Sequence, residues 1–362
     1  MLIFYVIVFA AEFVAPYDPL LRAPNASLLP PTQVYWRDQT TEQWIGPHVY
    51  RTTQGPVSLE TGEREVFVDF TQPSPIRLLA KGTPYRWLQI KLPFPTRLSI
   101  SDPQFLEIQL FPGFPGERHL FGTVGPGEWN VLGTDDQARD QLSRLIHGGR
   151  ISLSIGLVGI ALSFPLGMFV GGLAGYFGGW IDAILMRLVE VIMTIPDIYL
   201  LATLAALLPA GLSSAQRFLL IVVITSFVRW TGLARVVRGQ VLSLKSQTYV
   251  DASRAIGGQP IYIILRHVLP QTATYVIISA TLAIPGFIVA EAVLSLIGLG
   301  IQQPDASWGN MLALATKSPI LVLHPWLIWP PALLLVLTVL SFNLLGDGLR
   351  DALDPRSLRS YE

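Results

Sequence analysis

The chain has 362 residues, 51% of them hydrophobic and only 14% charged, against about 25% charged in an ordinary soluble domain. Its 25 basic and 25 acidic side chains cancel, which argues against a nucleic-acid partner, since that reading wants a basic excess. Cysteine is absent, so disulfides and thiolate metal sites are excluded. So apolar a chain points to lipid as its solvent.

A spanning helix needs about 20 mostly apolar residues. Six stretches qualify as candidates: 1–16, 152–176, 188–209, 218–236, 272–297 and 326–346. The first is short, holds Glu12 and lacks the basic flank that usually precedes a first span. It also lacks the basic start and small-residue cleavage site of a signal peptide. The expectation is a first span whose basic N-terminal tail precedes Met1; a genuinely short span is the alternative.

Residues 18–131 differ from the rest, being rich in Pro, Gly and aromatics. Runs such as 64–70 and 87–92 alternate apolar and polar residues between Pro and Gly, as short strands do. This predicts a small β-rich insert. Its plainer role is to cap the mouth of the helical part; the sharper one is a docking surface for a soluble substrate-binding protein.

The stretch 132–153 suits a helix lying along the interface, with Leu142, Leu145 and Ile146 among Arg139, Arg144 and Arg150. Asp135 or Asp136 is its expected cap. The next span carries Gly167, Gly171, Gly175 and Gly179 at four-residue spacing. That stripe lets a second helix approach closely in lipid. Tight packing is the default reading, and an interface that moves during transport is compatible with it. Pro165, Pro196, Pro285, Pro330 and Pro331 should kink their helices around a mid-membrane cavity.

Ionisable groups inside spans are costly and default to functional candidates. Glu190, Asp197, Arg229 and Glu291 qualify. Asp197 follows Pro196 in an interrupted span and is expected to face a cavity; Arg229 is expected to snorkel toward the inner face. Structural pairing is favoured over substrate contact for each.

Orientation follows from basic residues in short loops. Arg187, Arg235, Arg238, Lys245, Arg254, Arg266, Arg350, Arg356 and Arg359 fall on one side, against little beyond Arg217 and Lys317 on the other. The first side is therefore cytoplasmic, with the C-terminus inside and the insert outside.

The segment 249–270 is polar and basic between two apolar runs, so it must lie at the water interface. Gly257-Gly258 breaks one short helix, and Pro260 opens another. Pro270 is expected to separate that helix from the following span. An acidic-Ala-Ala triplet, three residues, Gly, nine residues and Ile-x-Leu-Pro is the coupling motif that this segment resembles. The motif belongs to permeases of importer-type ABC transporters. Asp251, Ala252, Gly257, Leu269 and Pro270 match it; Asp251 stands for Glu, Ser253 for the second Ala, and His267 for Ile. Three further blocks resemble the dipeptide/oligopeptide/nickel branch: 132–153 (with Ala138 where Gly is usual), 291–312 and 343–356.

The resemblance implies an all-α membrane protein of about six transmembrane helices plus the β-rich insert. Its segments would be a first helix at 1–17, the insert at 18–131 and the permease core at 132–362. It implies no catalytic residue, no metal and no cofactor bound by this chain, with ATP-Mg held by partner subunits. The implied partners are two ABC ATPase subunits, a second permease subunit forming a heterodimer, an extracytoplasmic binding protein and the lipid of the inner membrane. Coupling would fall to Asp251, Ala252, Ser253, Gly257, Arg266, His267, Leu269 and Pro270, and pathway or packing roles to Gly167, Gly171, Gly175, Gly179, Glu190, Asp197 and Glu291.

Peptide is the expected cargo, with nickel, an oligosaccharide or a peptide antibiotic as alternatives. Five His, none mid-span, disfavour a histidine relay for nickel. Residues 239–246 resemble a nucleotide-binding loop only superficially, lacking the second Gly before Lys245. Neither a nucleophile elbow nor a zinc-type His pair occurs, which leaves a membrane enzyme unsupported. A membrane-anchored sensor using its outer insert is the rival from another class.

Overall fold

The break between the first two helices shows how polar contacts shape this chain. Helix α1 (Leu2–Phe9) ends where the backbone turns at Ala10, and α2 (Ala11–Val14) follows. The turn strips the carbonyls of Val8 and Phe9 of helical partners. The Arg150 guanidinium donates to both, at 2.9 and 2.8 Å, and forms an ion pair with Glu12. Within the expected span at 1–16 the described residues form these two short helices.

The computed structural model describes residues 2–57, 64–97, 104–209 and 211–353. Arg356 and Arg359, counted above among the inner basic residues, lie outside the described residues, as does the end of the 343–356 block. The chain forms two compact units, each discontinuous in sequence. One comprises Met1–Ser154, Pro209–Arg217 and Glu291–Val336; the other comprises Ile155–Leu208, Phe218–Ala290 and Leu337–Glu362.

In the first unit the insert is β-rich, as its alternation predicts. Strands β1 (Tyr35–Arg37), β2 (Trp44–Val57), β3 (Arg64–Leu78) and β8 (Phe121–Thr123) form one antiparallel sheet in the order β1-β2-β3-β8. Tyr50 is its buried centre, packing edge-on against Tyr35 and Phe70 and donating to Asp38 at 2.9 Å. The remaining strands make nested hairpins: β5 (Ile90–Arg97) pairs with β6 (Gln104–Phe111), inside β4 (Lys81–Trp87) paired with β7 (Phe114–Arg118). The run at 87–92, read as one strand, is divided between β4 and β5. Leu88 adopts φ 58, and Gly113 lies opposite it, where a Cβ would come within 2.7 Å of the Trp87 carbonyl.

Helix α3 (Gln141–Phe177) starts eleven residues earlier than the apolar run suggests. Its polar lead-in is buried in protein: Gln141, Ser143 and Arg144 are each at most 1% exposed, so hydropathy alone misses it. Asp140, and neither Asp135 nor Asp136, caps it, accepting from the Ser143 amide at 2.7 Å. Short helices α10 (Trp308–Leu312) and α11 (Ser318–Leu323) also belong to this unit. The first opens on a capping box of Ser307 and Asn310.

The second unit is helical: the rest of α3, then α4 (Gly179–Thr194), α5 (Asp197–Ala206), most of α6 (Ser214–Leu244), α7 (Thr248–Ala255), α8 (Pro260–Ile263), most of α9 (Ala273–Leu296) and the end of α12 (Trp329–Leu353). Among the described residues, four helical stretches are long and apolar enough to cross a membrane: Gln141–Phe177, Ser214–Leu244, Pro260–Leu296 and Pro325–Leu353. The pair α4 and α5, bent by 84° at Ile195-Pro196, makes a fifth if it is one broken span. A helical membrane core with a β-rich insert is therefore present, with four or five spans where six were expected.

Candidate functional site

The segment 249–270 folds as a knob on a buried base. Helix α7 ends in a Schellman motif: Gly258 N–H bonds the Ser253 carbonyl at 2.9 Å, and Gly257 N–H bonds that of Arg254 at 3.0 Å. The two glycines are needed for different reasons. Gly257 sits at φ 86 with open space around it, so its requirement is conformational. A Cβ on Gly258 would meet the Ser253 carbonyl at 2.7 Å, so its requirement is steric. Beneath the turn, Val250, Ile263, Ile264, Val268 and Leu269 pack with Leu233, Val237 and Val241 of α6.

The knob's outer face presents Asp251, Ala252 and Ile256, the last 88% exposed. Ser253 turns inward. Arg254 pairs with Asp251 at 3.0 Å, lies over the Tyr176 ring at 5.0 Å and bonds its hydroxyl at 3.2 Å. That bond to Tyr176 raises the Arg254 pKa further. Arg266 is exposed, while His267 stands edge-on to Tyr262 with ring centres 5.5 Å apart.

Pro270 does not separate two helices. The stretch Pro260–Leu296 is one 37-residue rod. A π turn at Ile264–Val268, closed by Leu269 N–H onto the Ile264 carbonyl, leads into a 3-10 turn at Leu269–Thr272 that contains Pro270. Changing the helical pitch over two turns accommodates the missing N–H and the bulk of the ring that would break a regular α-helix.

The glycine stripe is a helix contact at three of its four positions. A Cβ at Gly167, Gly171 or Gly175 would meet the backbone carbonyls of Trp230, Ala234 or Arg238 of α6 at 2.8, 2.4 and 2.8 Å. Gly179 departs from the expectation: α3 ends at Phe177, and Gly179 opens α4 at φ 55 with nothing nearby. Sequence periodicity carries through a helix end, but the face it describes does not. Asp182 of α4, which the sequence did not single out, clamps Arg238 of α6 through two 2.5 Å bonds.

The ionisable candidates separate into distinct environments. Glu291 is fully buried and receives hydrogen bonds from Ser295 at 2.6 Å and Ser152 at 3.3 Å. Each of those hydroxyl oxygens in turn accepts a backbone amide: Ile301 on Ser295 and Trp308 on Ser152. Glu291 thus organises the 295–310 segment. The spacing of Ser295 four residues on was legible on a helix, whereas Ser152 reaches Glu291 only through the fold.

Glu190 is exposed and pairs with Arg187 at 3.2 Å. Asp197 is exposed at the start of α5. Arg229 is the central residue of α6, fifteen residues from either end.

The Asp135, Asp136 and Asp140 group is structural in its contacts. Asp135 binds Arg139 and Arg144, all three at most 1% exposed, and both arginines donate to the Pro304 carbonyl. Asp136 pairs with Lys317 at 3.0 Å. Burial pushes the Asp140 carboxyl up to about 7, opposed by its bonds from Ser143.

Comparison with known proteins now assigns the class. Residues 163–359 match the binding-protein-dependent transport system inner membrane component family, and the chain belongs to it. It is a permease subunit of an ABC importer, a membrane transporter component whose ATPase is a separate subunit and which works with a substrate-binding partner. The dipeptide transport system permease protein of Bacillus subtilis is 43% identical over 234 residues, 65% of this chain and 71% of its own length. The oligopeptide transport system permease protein of Haemophilus influenzae is 40% identical over 228 residues, 63% and 71% respectively. A chain of the inward-facing methionine ABC transporter MetNI aligns over 59% of this chain and 97% of its own, with 20% identity and a TM-score of 0.46.

Proposed function

We propose that this permease imports short peptides and that the knob at 249–270 receives the motion of an ATPase subunit. The observation that carries the coupling role is the knob's construction. An exposed tip of Asp251, Ala252 and Ile256 stands on a base buried against α6, and its second arm runs unbroken into the Pro260–Leu296 rod. A push on the tip therefore moves a membrane helix as a body. The peptide cargo rests on what the relatives' names say of them.

The assembly has two permease chains of different sequence, two ATPases holding ATP-Mg and an extracytoplasmic binding protein. It lies in the inner membrane with knob and C-terminus cytoplasmic and the 18–131 insert outside, as the basic residues of the short loops direct. The segments are the first helical region at 1–17, the insert at 18–131 and the permease core at 132–362. Arg266, His267, Leu269 and Pro270 hold the second arm of the knob. Gly167, Gly171 and Gly175 set the approach of two helices, and Glu190, Asp197 and Glu291 belong to the core that surrounds the pathway.

The test is the ATPase activity of the complex purified with its genomic neighbours. With wild type, two ATPases co-purify and activity rises with the binding protein. In Gly257→Arg that rise is lost, because an L residue strains the left-handed turn and a long cation disturbs the tip. A chain that purifies without an ATPase refutes the assignment.

A further inference from the structure

The first unit contains an open cavity of about 440 Å³, a volume in the range that holds small ligands. Its walls are the turn at 136–137, the chain leaving α9 at 298–303 and the turn at 313–317. Ser295, also at its wall, lies near the end of the Pro260–Leu296 rod opposite the knob. The orientation proposed above therefore opens the cavity to the outside.

Two arginines set which groups the lining has left to offer. Gln137 Oε1 accepts from Arg22 at 2.6 Å, and Gln303 Oε1 accepts from Arg144 at 3.2 Å. A guanidinium only donates, so it fixes which end of each carboxamide faces it. Both Nε2 groups are left without a partner among the described residues. Gln302 is held the other way round: its Nε2 donates to the Gly298 carbonyl at 3.0 Å, and its Oε1 is left over. Lys317 spends one of its three donors on Asp136, at 3.0 Å. Its side chain is 57% exposed, and ion pairs so exposed are weak, so an entering anion can share the ammonium. The linked charges favour an anion too, with Arg22, Arg139, Arg144 and Lys317 against Asp135, Asp136 and Asp305.

Two amide donors, an amide acceptor and an ammonium match the carbonyls, N–H groups and carboxylate at the C-terminal end of a peptide. We propose that this cavity is an outer binding site for the C-terminal end of a short peptide, with Lys317 on the carboxylate and Gln137, Gln302 and Gln303 on the backbone. The proposal rests on the peptide reading above and puts a peptide site on this chain itself, apart from the binding protein.

The chain has no cysteine, so one introduced at Ala313, in the cavity wall, reports on the cavity alone. The complete transporter in nanodiscs, without binding protein, is treated with a membrane-impermeant maleimide, and modification of this chain is read by mass. Trialanine slows modification of Ala313→Cys, trialanine amide slows it far less, and neither slows Gln43→Cys at an exposed position of the insert. Adding Lys317→Gln raises the trialanine concentration for half protection about tenfold, the scale of one lost charge-assisted hydrogen bond; Lys317→Arg keeps it near the original. Equilibrium binding of radiolabelled trialanine to the transporter with Ala313 in place gives the same comparison without the added cysteine. Absence of protection, equal protection by acid and amide, or protection indifferent to Lys317→Gln overturns the proposal. ATP-dependent uptake of trialanine with the binding protein present is read separately. Uptake without protection removes the cavity site and leaves the cargo reading standing. Protection without uptake keeps the cavity site and removes the cargo reading.

Discussion

Gly171→Ala is the sharpest test of the α3–α6 contact. The added Cβ would lie 2.4 Å from the Ala234 carbonyl oxygen and 3.0 Å from Val237 Cβ. Ordinary carbon–oxygen approach stops near ~3.3 Å, so the helices must separate by about 0.9 Å. The obstacle is backbone and cannot rotate aside, which puts the cost at the upper end of overpacking, about 3 kcal/mol. Greater helix propensity of Ala offsets about 1 kcal/mol, leaving a net loss of ~2 kcal/mol. A gap of that size also weakens the neighbouring contacts of Val237 and Leu233. Gly232→Ala in α6, with nothing within 4 Å of its Cβ position, is the control and should be neutral or slightly stabilising. The assay is the thermal midpoint of each detergent-purified variant. Gly171→Ala behaving like Gly232→Ala would refute direct backbone contact along the stripe.

Glu291→Ala leaves the hydroxyls of Ser152 and Ser295 without their buried acceptor and should cost about 3 kcal/mol. Faster hydrogen exchange at the Ile301 and Trp308 amides checks it, and Glu291→Gln, which keeps an acceptor, should be milder. Asp140 binds a proton more tightly folded, at about 7, than at its ordinary 3.8. Its contribution is thus fully present below pH 3.8 and is lost as pH rises through about 7. Asp140→Asn keeps a helix cap while removing the buried charge. Its thermal midpoint should gain on wild type as pH rises from 5 to 8, by ~1.4 kcal/mol per unit at most; a gap independent of pH contradicts this. Arg150→Ala frees the Val8 carbonyl, leaves that of Phe9 with Trp87 alone and unpairs Glu12. Amides around Ala10 should then exchange faster while those of α6 do not change.

Local pattern alone determined much here. Apolar runs predicted the four long helices, because a helix satisfies its backbone bonds within itself and lipid demands nothing more. The Gly257-Gly258-x-Pro260 spacing predicted the knob, because left-handed turns and helix starts depend on the residues that form them. Period-2 alternation predicted a β-rich insert.

Tertiary structure decided the remainder. The helix expected along the interface at 132–153 is instead the buried start of α3, its polar groups satisfied by distant chain, Gln141 by the Leu327 carbonyl and Arg144 by that of Pro304. Pro270 continues a helix because a π turn precedes it. The glycine stripe ends at Gly175 because α3 ends at Phe177. Glu291 meets Ser152 across 139 positions, and Arg229 of α6 meets Phe287 of α9. Contacts at such range depend on which helices pack together, and a single stretch of sequence carries no record of its neighbours in space.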